Sequence, residues 1–177
     1  IKGRNILVTG GAGFIGSQVV DAYIENGHHV VIIDNMSTGC KEFINPKATF
    51  YETNITDQLI SKIIENENIQ VINHHAAQIS VFDSVKDPVA DAKSNIIGTL
   101  QLLQNAVTLG IRKFIFASTG GAIYGKQDYF PAREDHPQNP TSPYGLSKLS
   151  VEGYLRFYQD QHDLSSVVLR YGNVFGP

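Results

Sequence analysis

The sequence predicts a doubly wound α/β fold, a parallel sheet with helices on both faces. Three observations predict it. Short apolar runs alternate with amphipathic helical stretches along the whole chain. A glycine-rich segment, Gly10-Gly11-Ala12-Gly13-Phe14-Ile15-Gly16, stands where the first apolar run gives way to the first helix. An acid, Asp34, closes the second run, 18 residues past Gly16. The 177 residues, 42% hydrophobic and 18% charged, suffice for one sizeable core, read as a single dinucleotide-binding domain over 1–177.

The elements follow in order. Asn5 to Thr9 (NILVT) is short and apolar, a buried strand. Phe14 to Asn26 carries apolar residues at Phe14, Ile15, Val19, Ala22 and Tyr23, a helical spacing, and Gly27 stops it. His29 to Asp34 (HVVIID) is the second strand and Ala48 to Glu52 (ATFYE) a short third. A helix runs from about Asp57 to Asn66 with Thr56 or Asp57 as its cap. Val71 to His74 (VINH) is a strand. One long helix starts at Asp87-Pro88, a cap followed by proline in the first position, and ends before Gly110. Lys113 to Ser118 (KFIFAS) is a strand, Pro143 to His162 a helix, and Ser166 to Tyr171 (SVVLRY) the last strand. In such a sheet ligands bind beyond the C-terminal strand edges, where Gly10, Asp34, Ala76 and Ser118 converge.

Composition narrows the partners. A net charge of −3 speaks against a nucleic-acid or membrane surface. The single Cys40 rules out an internal disulfide and fits a reducing, cytoplasmic compartment. No signal peptide and no long apolar stretch stand out. His74 and His75 have no partner at ligand spacing, so they read as strand-end packing and no metal site is expected.

The glycine turn is built for a pyrophosphate. Gly10 permits the tight turn, Gly13 lets the backbone approach phosphate, and Gly16 lets helix and strand pack closely. The first N–H groups of the helix and its dipole favour an anion. Asp34 accepts hydrogen bonds from ribose hydroxyls and repels a 2′-phosphate, and Asn35, Ser37, Thr38 and Gly39 after it include no arginine to welcome one. The expected cofactor is therefore NAD. Downstream, Tyr144 and Lys148 lie at i and i+4, on one face of a helix. A free tyrosine, with a pKa of about 10, is a poor base at neutral pH. A nearby ammonium and a cationic nicotinamide lower it, so the pair reads as a device for moving a proton to or from a hydroxyl.

Seven segments together resemble one family. They are TGGAGFIG at 9–16, IIDNMSTG at 32–39, HHAAQISV at 74–81, SNIIGT at 94–99, FASTGGAIYG at 116–125, SPYGLSK at 142–148 and LRYGNVFGP at 169–177. In this order they resemble the extended short-chain dehydrogenase/reductases, in the NAD-dependent sugar-nucleotide epimerase/dehydratase branch, with a Rossmann fold. The resemblance implies a nucleotide-sugar substrate, a homodimer built on the two long helices, and a smaller sugar-nucleotide domain beyond Pro177. Apolar residues such as Leu100, Leu103, Val107, Val151 and Leu155 are expected to supply the dimer seam, with some of them facing the sheet instead.

It also assigns residues. Tyr144 is the base and Lys148 its partner, with a second hold on the nicotinamide ribose. The hydroxyl donor falls four residues before Tyr124 in many relatives, which is Gly120 here, so Thr119 is expected to take the role through a local bulge, with Ser118 as understudy. Asn54 and Ile55 match a pair that holds adenine, the Asn54 amide oxygen accepting from the adenine amino group. Ala76, Ala77 and Gln78 line the pyrophosphate and nicotinamide side, Asn95 supports the backbone there, and Tyr171 touches the cofactor. Gln78 and Ser80 reach the sugar and Asn173 the UDP diphosphate. Dehydratases of the family carry an Asp-Glu pair after the threonine, where this chain has Gly120-Gly121. Elimination then lacks its acid and base, which favours 4-epimerisation, UDP-glucose to UDP-galactose through a 4-keto sugar. Another activity of the family (a dehydratase, a decarboxylase or an alcohol dehydrogenase that releases NADH) and a non-catalytic NAD-binding domain remain as alternatives.

Overall fold

The computed structural model describes residues 3–176; Pro177, the last residue of the LRYGNVFGP match, lies outside them. Six strands form one sheet: β1 (Asn5–Thr9), β2 (His29–Asp34), β3 (Thr49–Glu52), β4 (Val71–His74), β5 (Lys113–Thr119) and β6 (Ser165–Tyr171). Their order is β3-β2-β1-β4-β5-β6 and every pairing is parallel. The order reverses between β1 and β4, which opens a crevice at their C-terminal ends.

Alternation along each strand sorts the core into two layers. Leu7, Val31, Ile33, Ile72, Phe114 and Phe116 face one side. There they pack under Ile60, Ile63 and Ile64 of α2 (Leu59–Asn66), Leu102 and Leu103 of α5 (Gly98–Thr108), and Val151 and Leu155 of α7 (Pro143–His162). Ile6, Val8, Val30, Ile32 and Val71 face the other side, against Val20 of α1 (Phe14–Glu25). The buried stripe of α1 runs through Gly16, Ser17 and Val20 rather than Phe14 and Val19. Phe14 and Ile15 are spent on the cleft instead.

Helix ends follow their local chemistry. Asp57 Oδ1 accepts from Leu59 N at 2.8 Å, holding the α2 start from a position just outside the helix. Asp87 Oδ1 accepts from Ala90 N at 2.9 Å, and Pro88 is the first helical residue. The expected single long helix is broken, however. It runs as α4 (Pro88–Ala92), a π-helical turn (Lys93–Ile97) and α5. Two short helices are additional: α3 (Val81–Lys86), capped by Ser80 accepting from Asp83 N, and α6 (Gly120–Ile123), capped by Thr119. The Ser80-x-x-Asp83 cap was the available signal for α3. Gly120-Gly121 hid α6, because glycine is a poor helix former.

The turn after β1 needs its glycines for two different reasons. Gly10 has φ +71, a left-handed conformation, and a Cβ there would sit 2.6 Å from the Ala76 backbone nitrogen. Gly16 would place a Cβ 2.1 Å from the Gly10 carbonyl oxygen, so the first turn of α1 is pressed against the strand end. We expect Gly16→Ala to lower the unfolding free energy by about 1–3 kcal/mol, as overpacking does. Urea denaturation of the purified chain reads it; an unchanged midpoint shows that the turn relaxes and the close packing is not required.

Candidate functional site

The strand ends enclose a cleft of about 890 Å³ that runs from the glycine turn to Tyr144 and Lys148. At one end α1 begins at Gly13 with no side-chain cap. Its first N–H groups have no intrahelical acceptor, and with the helix dipole they make a site for an anion. Gly10, Gly13, Phe14, Ile15 and Gly16 all line the wall there.

Asp34 stands beside this turn. Its Oδ2 accepts from Ala12 N at 3.1 Å and its Oδ1 from Met36 N at 2.9 Å, so both oxygens are fixed while the carboxylate still borders the cleft. Remaining lone pairs match a ribose diol, and the charge opposes a 2′-phosphate. Asn35, Ser37 and Thr38 line the same end. Gly39 does not; it packs behind, where a Cβ would lie 3.0 Å from Asp34 Oδ1 and from the Ala12 side chain. An uncapped helix start beside a fixed acceptor carboxylate is what a dinucleotide's pyrophosphate and ribose require, so these residues fit NAD.

Thr53, Asn54 and Ile55 border the next stretch. The role expected of Asn54 is corrected by its geometry. Asn54 Oδ1 already accepts from Thr56 N at 3.1 Å and Thr56 Oγ1 at 3.0 Å, which occupies both lone pairs. Asn54 therefore offers an N–H donor, not an oxygen acceptor, to a base.

The far wall is held from behind by a polar cluster. Ala76, Ala77, Gln78 and Ser80 line the cleft. Asn95 does not; it lies buried beneath, accepting from Gln78 N and donating to Gln78 O, both at 2.9 Å. The Gln78 side chain donates to Ser80 O at 2.9 Å and to Asp91 Oδ1 at 3.0 Å, and its oxygen accepts from Ser80 N. Ser80 Oγ caps α3. The Gln78 side chain is thus engaged within the protein, while Ser80 Oγ only accepts and keeps its own proton free at the cleft wall. Asn173 is exposed at the cleft rim.

Tyr144, Lys148, Ser118 and Thr119 converge at the opposite end. Ser142 caps α7 by accepting from Gly145 N at 3.1 Å, and Pro143 starts the helix, so Tyr144 sits in its first turn. Lys148, only 4% exposed, donates from Nζ to Ala117 O at 2.9 Å. That nitrogen lies 4.7 Å from the Phe116 ring centroid and 5.9 Å from that of Tyr144. Burial lowers the Lys148 pKa to about 8, with Asp91 pulling the other way. Tyr144 is pushed above its ordinary value by burial and then by the Asp91 charge. The expected lowering of Tyr144 is therefore not produced by the chain's own groups, because burial and the Asp91 charge both raise it.

The two candidate hydroxyl donors differ in where their protons go. Ser118 donates to Glu152 Oε1 at 2.6 Å, away from the cleft. Thr119 Oγ1 accepts from Ala122 N at 3.3 Å, which leaves its own proton free. No bulge is needed to present it: β5 stays in regular register with β6 through Thr119 and Tyr171.

Glu152 and Arg170 escaped the sequence reading, and His75, expected only as strand-end packing, lines the cleft instead. Glu152 holds Arg170 through Nε at 3.1 Å and Nη2 at 2.7 Å, and Arg170 also donates to Tyr124 Oη and Glu134 O. The Glu152 bond raises the Arg170 pKa. His75 sits 3.1 Å through Nε2 from Tyr171 Oη, both lining the cleft, and burial plus the Lys148 charge lower its pKa to about 4, so it is neutral. Among the described residues no group of three or more His, Cys, Asp or Glu converges as a metal site would need. Nor is any helix there long and apolar enough to cross a membrane.

Comparison with known proteins gives one result at every level. The family model described as "NAD dependent epimerase/dehydratase family" matches residues 6–177. The UDP-glucose 4-epimerase of Mycolicibacterium smegmatis is 41% identical over 97% of this chain and 56% of its own length. The crystal structure of Thermotoga maritima UDP-glucose 4-epimerase with UDP-glucose superposes with a TM-score of 0.95 at 51% identity, covering 98% of this chain and 57% of that one. That of the Thermus thermophilus UDP-glucose 4-epimerase in complex with NAD gives 0.94 at 42% identity, covering 98% and 56%. A UDP-N-acetylglucosamine 4-epimerase of Methanobrevibacter ruminantium M1 gives 0.93 at 38%, covering 100% and 57%. The chain thus spans about half the length of the relatives it matches. An uncapped helix start after a glycine turn, a fixed carboxylate and a Tyr-Lys pair, in one cleft and in this order along the chain, agree with the match of the family model: the chain belongs to the NAD-dependent epimerase/dehydratase family.

Proposed function

We propose that residues 1–177 form the NAD-binding domain of a UDP-hexose 4-epimerase, an isomerase interconverting UDP-glucose and UDP-galactose. The observation that carries this is the proton arrangement at Tyr144, Lys148 and Thr119, with no carboxylate following Thr119. Gly10 to Gly16, Asp34 and the 53–55 segment would hold NAD, with Lys148 and Tyr171, which line the same cleft, toward its nicotinamide end. Bound there, NAD supplies an acceptor for the hydrogen on sugar C4 and a positive ring charge that favours a phenolate at Tyr144. Tyr144 takes the C4 hydroxyl proton and later returns it. Thr119 donates its free hydroxyl proton to the same oxygen, and Lys148 stabilises the phenolate. A 4-keto sugar would turn over in the pocket between the two proton transfers at Tyr144, with no net release of reduced cofactor. Gly120-Gly121 offers no acid or base for eliminating water.

Assembly belongs to the same reading. Leu103, Val151 and Leu155 are in the core, so they cannot form a dimer seam. Leu100 and Val107 of the expected set remain, and with Ile97, Tyr154 and Phe157 they form an apolar face between α5 and α7 that lies at the surface and supports a homodimer. The unpaired Cys40 supports a cytoplasmic location.

In the full-length protein Tyr144→Phe keeps NAD binding but lowers turnover of UDP-glucose at least 10²-fold, the order of one general acid–base group, about 10²–10⁴. Thr119→Val costs roughly 10²–10³-fold and Ser118→Ala less. A coupled assay for UDP-galactose decides it: wild-type turnover in Tyr144→Phe sinks the mechanism, and a larger loss in Ser118→Ala reverses the donor assignment. Light scattering of Phe157→Asp is expected to show monomer where the wild type shows dimer; a wild-type monomer at high micromolar concentration contradicts the assembly.

Lys148 adds a stability test. Its folded pKa, about 8, lies below the ordinary 10.5, so the unfolded chain binds more protons between those values and stability rises with pH there. The charged side chain is a full cost below about 8 that disappears as pH rises toward 10.5. Lys148→Met is expected to be more stable at neutral pH by on the order of 1–3 kcal/mol, the advantage fading across that window. Thermal melts at a series of pH values read it; a destabilised variant at pH 7 shows that the Ala117 bond outweighs desolvation.

A further inference from the structure

The most deeply buried carboxylate of the cleft region does not line the cleft. Asp91, on α4, is 1% exposed. Three neutral donors hold it: Ser147 Oγ at 2.6 Å, Asn95 Nδ2 at 2.9 Å and Gln78 Nε2 at 3.0 Å. Among the described residues no Lys, Arg or His forms an ion pair with it. Burying a carboxylate without a cation is costly, and apolar replacements of buried ions are often neutral or stabilising, so packing alone does not account for it.

Its three partners belong to the site. Ser147 lies on α7 immediately before Lys148 and three residues after Tyr144. Gln78 is part of the cleft wall. Asn95, four residues on from Asp91, clamps the Gln78 backbone through both N and O. The π turn at Lys93–Ile97, a local widening often found at functional sites, lies between Asp91 and α5 and contains Asn95. One carboxylate thus ties the catalytic turn of α7 to the opposite wall of the cleft.

We infer that Asp91 is a positioning residue for the Tyr144–Lys148 centre, fixing the rotation of the first turns of α7 against the 76–78 wall. The inference rests on the reading of that pair as catalytic. Asp91 touches neither cofactor nor sugar; it acts through Ser147, Asn95 and Gln78. Its charge is also the carboxylate that both Lys148 and Tyr144 feel.

The test uses the full-length protein with Asp91→Asn, which keeps the volume but puts an amide donor among three donors, and Ser147→Ala, which cuts only the α7 link. NAD affinity is read by calorimetry, sugar interconversion by steady-state kinetics and folding by thermal melts. For Asp91→Asn we expect kcat to fall about 10- to 100-fold, as misplacement of reacting groups does, with KM nearly unchanged. NAD binding weakens about fivefold, the equivalent of one hydrogen bond. Ser147→Ala moves both readouts in the same direction and by less. A purely structural role lowers the melting midpoint while kcat and NAD affinity per folded molecule stay within about twofold, and that result overturns the inference. Should Asp91→Asn fail to fold, Ser147→Ala decides by the same criterion. Should the wild type bind NAD yet interconvert no sugar, the proposed function fails by itself, and the calorimetric comparison still judges Asp91.

Discussion

The cleft hangs on a chain of hydrogen bonds through one buried histidine. Thr99 Oγ1 donates to Asn95 O at 2.7 Å, so toward His74 Nε2, 2.9 Å away, it is an acceptor and that nitrogen carries the proton. His74 Nδ1 is then the acceptor for the Thr9 hydroxyl at 2.6 Å, and Thr9 in turn accepts from Ala76 N at 3.2 Å. Every group has one role and the chain runs one way. A second proton on His74 would face Thr9 with two donors, and burial together with the Lys148 charge drives its pKa well below the ordinary value. The end of β1, the wall after β4 and the π turn are therefore locked together without an ion. Gly10 follows Thr9 directly, so the anion site and the 76–78 wall share one anchor.

The parts of this molecule visible in its sequence are those governed by local rules. β1, β2 and β4 were legible to the residue because apolar runs of that length have no other use beside a glycine turn. α7 was legible because Ser142-Pro143 is a start signal that acts within one turn. Asp34, Tyr144 and Lys148 could be assigned to one sheet edge from residue type and spacing, and all three line the same cleft. Asp91, Ser147 and Glu152 were not legible. A polar residue in a helix reads as a solvated face, and only the approach of α4 to α7 and of α7 to Ser118 and Arg170 turns these three inward. The broken helix was missed for a related reason: no proline or glycine marks Lys93–Ile97, and tertiary packing imposes the widening.

Direction of donation also lay beyond the sequence. Counting positions left Ser118 and Thr119 as rivals. Their environments separate them, because Glu152, itself clamped by Arg170, draws the Ser118 proton into the interior. The same logic reverses Asn54, whose oxygen is occupied by its own turn. In both cases residue type set the capacity for hydrogen bonding, and the fold decided which half of it faces the ligand.

Burial of Lys148 has one more consequence, for reactivity. An amine with a pKa of about 8 carries far more free base at neutral pH than an ordinary lysine. Free base is the nucleophilic form. Lys148 is only 4% exposed, so its free base is sheltered from bulk solution and borders the cleft that runs from Gly10 to Tyr144.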